Sequence, residues 1–263
     1  MNTSNIHYND KNNNIARERL DPGLSHSRYV HLKLLKKHVE RLVNENLISG
    51  NKIKLADMGC GELPYISIIK PYVHQYIGID LPGNSKADVF VDLKNNRCSL
   101  ENDSCDVVLS IQVLSNTTNP IEYLKECFRI LKPKGKLLLS THGHWPYKPD
   151  PFDYGRWTSM GLKLEIENAG FKIIELKGMM GLLSTSMQIL QDAVLTSVPF
   201  SRIWGTIFCF LMQRLIHVSE WYVSKSKTLK TSSPILRRRL LLSQLPSEKV
   251  RYLHLSKVLA LLD

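Results

Sequence analysis

The sequence predicts a doubly wound α/β fold, a mostly parallel sheet with a helical, partly apolar insertion toward its C-terminal end. Short β-branched runs alternate with helical periodicities between residues 52 and 176. The run "CDVVLSI" at 105–111 is apolar on both faces, as a parallel strand covered by helices must be. The turn "DMGCG" at 57–61 joins the first strand to a helix, where such sheets receive ligands.

Each element has its own signal. Residues 1–26 are Asn-rich and aperiodic, which predicts a flexible arm, and they lack the apolar core of a signal peptide. Over 27–47, Val30, Leu34, Leu35, His38, Leu42 and Leu47 recur at helical spacing, mostly with basic residues between them, so an amphipathic helix lies on the domain. Residues 52–57 form the first strand, and Pro64 suits the first turn of a helix running to about 69. "QYIGID" at 75–80, "ADVFVD" at 87–92 and "CDVVLSI" follow as strands. Asn119 caps a helix to 131, with Pro120 first, Glu122 third, and a stripe of Ile121, Leu124, Phe128 and Leu131. "KLLLS" at 136–140 is a fifth strand. Thr158 caps a helix ending at Gly170, and 171–176 form a sixth strand.

Residues 178–248 fit no strand. Within them, 193–212 carry one charge, Arg202, and come close to the length a spanning helix needs, but Pro199, Ser201 and Arg202 in mid-segment argue against a span. A basic run, "SKSKTLKTSSPILRRR", follows. Two readings stand: an interfacial anchor, or a helical cap whose apolar face packs on the sheet, the second being the commoner arrangement. "KVRYLHLSKV" within 249–263 supplies a final strand and tail, so the chain divides at 1–26, 27–177, 178–248 and 249–263.

Hydrophobic residues at 43% and charged residues at 22% fit an ordinary globular chain. Five cysteines without a C-x-x-C predict buried free thiols in a reducing cytoplasm. The net charge of +11 is uneven: 51–178 carry 16 basic and 15 acidic residues, whereas 220–263 carry nine and three. A nearly neutral central block weakens a nucleic-acid partner, and a basic end leaves an anionic surface such as a membrane open to it.

The strand ends place Asp57, Gly59, Gly61, Asp80, Asp92, Ser110, Gln112 and His142 around one crevice. A pyrophosphate-binding turn would carry a third glycine where Pro64 stands. Two glycines still allow close backbone approach. Asp57 would repel phosphate but accept an ammonium or its water, and Asp80, 19 residues after Gly61, can accept ribose hydroxyls. A ligand with a ribose and an amino-acid ammonium but no phosphate is S-adenosylmethionine.

"KLADMGCGELPY", "YIGID", "VDL", "CDVVLSIQVL", "YLKECFRILKPKGKLLLS" and "DYGRWTSMGLKLEIENAGF", taken in order, resemble the class I S-adenosylmethionine-dependent methyltransferases, with a Rossmann-like fold, and within them the small-molecule branch similar to quinone-biosynthesis methyltransferases. The resemblance covers 52–175. It implies that Gly59 and Gly61 line the cofactor, Asp57 orients its methionine end, and Asp80 holds the ribose. It also implies that Asp92 and the Leu93 backbone meet the adenine, and that Ser110 and Gln112 border the methionine moiety. "THGHWPYKPDPFDYGRWT" resembles a narrower bacterial subgroup associated with cell-surface polysaccharide or lipid biosynthesis. Many relatives carry Glu-His after the fourth strand, where this chain has Ser115 and Asn116.

Methyl transfer from a sulfonium needs alignment and exclusion of water, and an oxygen acceptor needs a base. The 141–157 loop offers His142 and His144 as base candidates, and Tyr154 and Arg156 to hold an acceptor, anionic in the case of Arg156. For Asp153 and Arg156 a loop-bracing ion pair is the commoner arrangement and the reading put first. A metal reading of His142, His144, Asp150 and Asp153 lacks a familiar ligand set and ranks below bracing. The expected partner is a small-molecule or lipid-linked acceptor.

Overall fold

The computed structural model describes residues 12–47, 52–92, 97–146, 152–225 and 251–258. Eight strands form one sheet: β1 (Lys54–Met58), β2 (Gln75–Asp80), β3 (Val89–Asp92), β4 (Arg97–Cys98), β5 (Cys105–Ile111), β6 (Leu131–His142), β7 (Phe171–Gly178) and β8 (Arg251–Val258). Their order is β4-β3-β2-β1-β5-β6-β8-β7, parallel throughout except for the β3–β4 pair. This is the predicted mostly parallel, doubly wound sheet.

Helices cover both faces. α2 (Tyr29–Leu47) packs Leu35, Val39, Leu42, Val43 and Leu47 against Leu55, Val107, Leu109 and Leu138 of the sheet. On the other face α4 (Pro120–Ile130) and α5 (Ser159–Asn168) place Leu124, Cys127, Ile130, Leu162 and Ile166 over Met58, Ile79, Val108 and Leu139. Both predicted caps form: Asn119 Oδ1 accepts from Glu122 N, and Thr158 Oγ1 from Gly161 N. All five cysteines are buried and free.

Three local expectations are corrected. The N-terminal arm contains α1 (Asn12–Leu20), whose Leu20 packs on the α2 side of the core although its own sequence is aperiodic. Residues 1–11 of that arm lie outside the described residues. The helix after the glycine turn is the single turn α3 (Ile66–Ile69), because Leu63 adopts a left-handed φ of 56° and Pro64 follows it in the turn. The third correction is α6 (Leu182–Ser197) with α7 (Arg202–Lys225), separated around Pro199 and not capping the sheet with an apolar face. The residues they bury are largely polar: Ser184, Thr185, Gln188 and Gln191 on α6, and Gln213 and Ser219 on α7.

Candidate active site at the carboxyl ends of the strands

The strand order reverses between β1 and β5, which opens a crevice beyond their carboxyl ends. Gly59 (φ 79°) and Gly61 (φ 51°) form the turn at its lip. A Cβ at Gly59 would stand 2.5 Å from Val113 Cγ2, so the backbone is pressed against the segment after β5 and only glycine fits. Gly61 N donates to Asp80 Oδ2 at 2.8 Å, and Asn84 Nδ2 donates to the same oxygen at 2.7 Å and to Gly61 O at 2.9 Å. Leu81 N donates to Asp80 Oδ1 at 2.8 Å. The carboxylate ending β2 is thereby locked to the glycine turn. Asn84 is 1% exposed, and sequence reasoning missed it; its one cue is its place in the turn "DLPGN".

Asp57 lies beneath the turn, 4% exposed, and accepts a hydrogen bond from the Tyr76 hydroxyl of β2, a second residue the sequence did not flag. Burial pushes its carboxyl up to about 7, against the opposing effect of that hydrogen bond and with added repulsion from Asp80. The folded state therefore holds the proton more tightly than the unfolded chain. Stability from Asp57 is full below its ordinary value of 3.8 and is lost as pH rises through about 7. Asp57→Asn is expected to raise the melting temperature at pH 8 more than at pH 5. Equal shifts at both pH values, measured by calorimetry, would contradict the assignment.

The remaining predicted cofactor residues divide. Gln112 closes β5 with a left-handed φ of 63°; its Nε2 donates to Ser140 Oγ at 3.0 Å, and its buried Oε1 has no partner among the described residues. A strained residue with an unsatisfied oxygen at the crevice marks a place for a ligand donor. Ser110 is fully buried and bonds to the Tyr123 hydroxyl of α4 at 2.7 Å, which in turn donates to Met58 O. It ties α4 to the strands, on the face that strand alternation turns toward that helix. Asp92 is exposed at the end of β3, and Leu93 lies outside the described residues.

At the end of β6, His142, Trp145 and His31 of α2 form a cluster, with ring centroids 5.5 Å (His142–Trp145) and 4.9 Å (His31–Trp145) apart. The Arg28 guanidinium sits 5.0 Å over the Trp145 ring. Burial, then the positive charges of Arg156 and Arg28, push His142 down to about 3; burial likewise lowers His31. Both rings are neutral at neutral pH. His142 Nδ1, His31 Nδ1, Trp145 Nε1 and Thr141 Oγ1 are buried without partners among the described residues. Sequence reasoning missed His31 because it sits in an ordinary amphipathic helix. His144 is exposed.

Arg156 is corrected. Its guanidinium pairs with both oxygens of Asp153 and donates to the carbonyls of Trp145, Pro146 and Gly155. The bracing pair forms, which also removes Asp153 as a metal ligand; Asp150 lies outside the described residues. Ser115 holds the same loop, its carbonyl accepting from Tyr154 N and Gly155 N. Tyr154 is exposed, stacks on Phe152, and lines a shallow cavity of about 230 Å³ with Trp145 and Arg156.

A doubly wound sheet with a glycine turn, an oriented carboxylate after the second strand and polar groups at the fourth and fifth strand ends defines a Rossmann-like nucleoside-binding protein. Residues 27–176 match the family model described as methyltransferase domain, and the chain belongs to that family. It is 26% identical over 178 residues to a Mycolicibacterium smegmatis protein called "Probable S-adenosylmethionine-dependent methyltransferase", covering 61% of this chain and 66% of that one. It is 31% identical over 102 residues to the Arabidopsis thaliana ribosomal RNA-processing protein 8, covering 39% of this chain and 33% of the relative. An S-adenosylmethionine-dependent methyltransferase structure from Aquifex aeolicus aligns at 16% identity with a TM-score of 0.44, over 63% of this chain and 92% of that one. The chain thus spans about two thirds and one third of the length of these two curated relatives.

The crevice fits the family's cofactor, S-adenosylmethionine. The turn admits backbone contact at Gly59, Gln112 offers an unsatisfied acceptor, and Asp57 is a buried acid suited to an ammonium or its water. Asp80 already accepts three N–H groups, and a carboxylate has about four acceptor positions. One ribose hydroxyl is accommodated at Oδ1, and a second requires the Asn84 amide to yield.

Proposed function

We propose that the protein is an S-adenosylmethionine-dependent methyltransferase that moves a methyl group by in-line displacement to a small-molecule, sugar or lipid-linked acceptor. The observation that carries the reading is Asp80, held by Gly61 N and Asn84 at the lip of the β1–β5 crevice. Gly59, Gly61, Asp57, Asp80 and Gln112 hold the cofactor, with Asp92 and Leu93 toward the adenine. The sulfonium supplies an activated methyl and a neutral leaving group, so the chain's own work is alignment and exclusion of water. The ordered motifs support placement near the quinone-biosynthesis branch.

The acceptor sits against His142, His31 and Trp145, whose unpartnered polar atoms support this position. With its proton affinity lowered by burial and by Arg156 and Arg28, His142 is a hydrogen-bond partner rather than a strong base, unless a bound anion offsets those charges. Tyr154 flanks the entrance, and the exposed His144 is left a secondary base candidate.

The reading places the protein in the cytoplasm at the inner face of a membrane, in peripheral contact with anionic lipid, supported by the exposed apolar residues of α6 and α7. A ribosomal RNA acceptor is the rival raised by the Arabidopsis relative; the near-neutral charge of 51–178 argues against it. Titration of the full chain with S-adenosylhomocysteine by calorimetry tests the core of the reading: saturable binding is expected, and its absence overturns it in favour of a module that keeps the fold without the chemistry. A mobility shift with ribosomal RNA at moderate salt would overturn the choice of acceptor.

A further inference from the structure

The α6–α7 hairpin is built inside out. Its interior is mainly polar: Gln213 Nε2 lies 2.9 Å from Gln188 Oε1 and 2.8 Å from Gln191 Oε1, and Ser184 Oγ bonds Ser219 Oγ at 2.7 Å, beside a small apolar contact of Ile216 and Met187 with Val30 of α2. Its exterior is apolar. Ile203, Ile207, Leu211, Leu215, Val218 and Tyr222 form an exposed stripe at helical spacing down α7. Trp204 and Trp221 flank it, and Ile203 and Trp204 are 71% and 64% exposed. In water such a hairpin would bury its apolar side and solvate its glutamines. The reverse arrangement is favoured where the surroundings are hydrocarbon and helices are joined by small and amide side chains. No helix among the described residues is long and apolar enough to cross a membrane. Tryptophan and tyrosine on the apolar face suit the interfacial zone.

Charge selects the occupant. Residues 179–219 carry two basic groups and one acidic, and 220–263 carry nine and three. In sequence the stripe is followed directly by 225–239, which carry six basic residues and no acidic one, and that composition is complementary to an anionic bilayer surface. The hairpin is also tied to the candidate acceptor site. Gln188, Gln191 and Gln213 donate to the Ser27 carbonyl at 3.0, 2.7 and 2.8 Å, and the next residue is Arg28, whose guanidinium lies over Trp145.

We propose that the α6–α7 hairpin lies flat in the interface of an anionic bilayer with the α7 stripe inserted, holding the His31–His142–Trp145 cluster beside the membrane so that the methyl acceptor is the headgroup of a membrane-borne lipid. The docking deepens the membrane contact proposed above and does not depend on the transfer chemistry; the lipid headgroup does.

The test is flotation of the full chain with vesicles of phosphatidylcholine alone and of an equal mixture with phosphatidylglycerol. Tryptophan emission is recorded in parallel, and S-adenosylhomocysteine binding is followed by calorimetry. Expected are flotation with the anionic vesicles, a blue shift on their addition, and at least a tenfold loss of both in I203Q/W204Q/L211Q, whose cofactor binding stays unchanged. Flotation that salt abolishes but the triple variant does not would assign attachment to basic residues alone and overturn hairpin docking. Self-association that the variant abolishes, without flotation, would make a second copy the occupant and overturn it. Emission already blue-shifted without vesicles, and no flotation, would mean that the chain covers its own stripe and would likewise overturn it. Loss of S-adenosylhomocysteine binding in the parent protein, with flotation intact, would sink the methyltransferase reading and the headgroup assignment with it, leaving the docking. For the acceptor, methyl transfer to lipid extracted from such membranes is expected, and transfer only to water-soluble acceptors would overturn the headgroup.

Discussion

Asp80→Ala is expected to weaken S-adenosylhomocysteine binding by roughly 10²- to 10³-fold while leaving the far-ultraviolet circular dichroism unchanged. Two effects combine. The carboxylate is lost as an acceptor for ribose, and hydrogen bonds to a charged group contribute about 1.5–3 kcal/mol each. The Gly61 N–H and the Asn84 amide, both donors to Asp80 Oδ2, are also left to reorganise, so the glycine turn loses its fixed geometry. Asp80→Asn should fall between, because its amide oxygen can serve only part of the pattern. The parent should discriminate strongly against a 2′-deoxy analogue of the ligand, and Asp80→Ala should not. An affinity within threefold of the parent would remove Asp80 from the site.

Gly59→Ala should be damaging for a separate reason. The φ of 79° costs an L-residue about 1–2 kcal/mol, and the new Cβ would meet Val113 Cγ2 at 2.5 Å. Valine has few rotamers with which to withdraw. A fall in melting temperature of several degrees is expected, together with loss of cofactor binding, because the β1 turn and the segment after β5 form the two walls of one crevice. Adding Val113→Ala should recover part of the stability if contact is the cause. Recovery of none would place the cost in the backbone alone.

The architecture was legible because its signals are local. Strand β5 announces itself by seven residues without a helical period, and α4 and α5 by Asn119 and Thr158 at their starts. The gathering of Asp57, Gly59, Gly61, Asp80 and Gln112 at the strand ends was legible, since strand ends converge in this fold whatever the detail. What stayed hidden depends on contacts between distant segments. Tyr76 reaches Asp57 across a strand pair, Asn84 matters through Asp80, and His31 is joined to His142 only by the docking of α2 on the sheet. For Ser110 the strand-end position is visible in sequence while the helix it faces is not. The hairpin misled for a related reason: an apolar helix predicts burial, and nothing in its composition says that its glutamines face inward.

The place of β8 bears on how the chain assembles. Strands β1, β2, β5 and β6 pair with one another and all precede β7 in the chain. β7 cannot join them, since its sole partner in the sheet is β8 and the slot beside β6 belongs to β8 as well. The fold therefore has a late keystone. In chain order β7 and the whole α6–α7 hairpin come before β8, so the hairpin is made before the β7 edge of the sheet can close. If the hairpin meets a bilayer at that stage, the surface itself becomes the scaffold on which the final strand is threaded home.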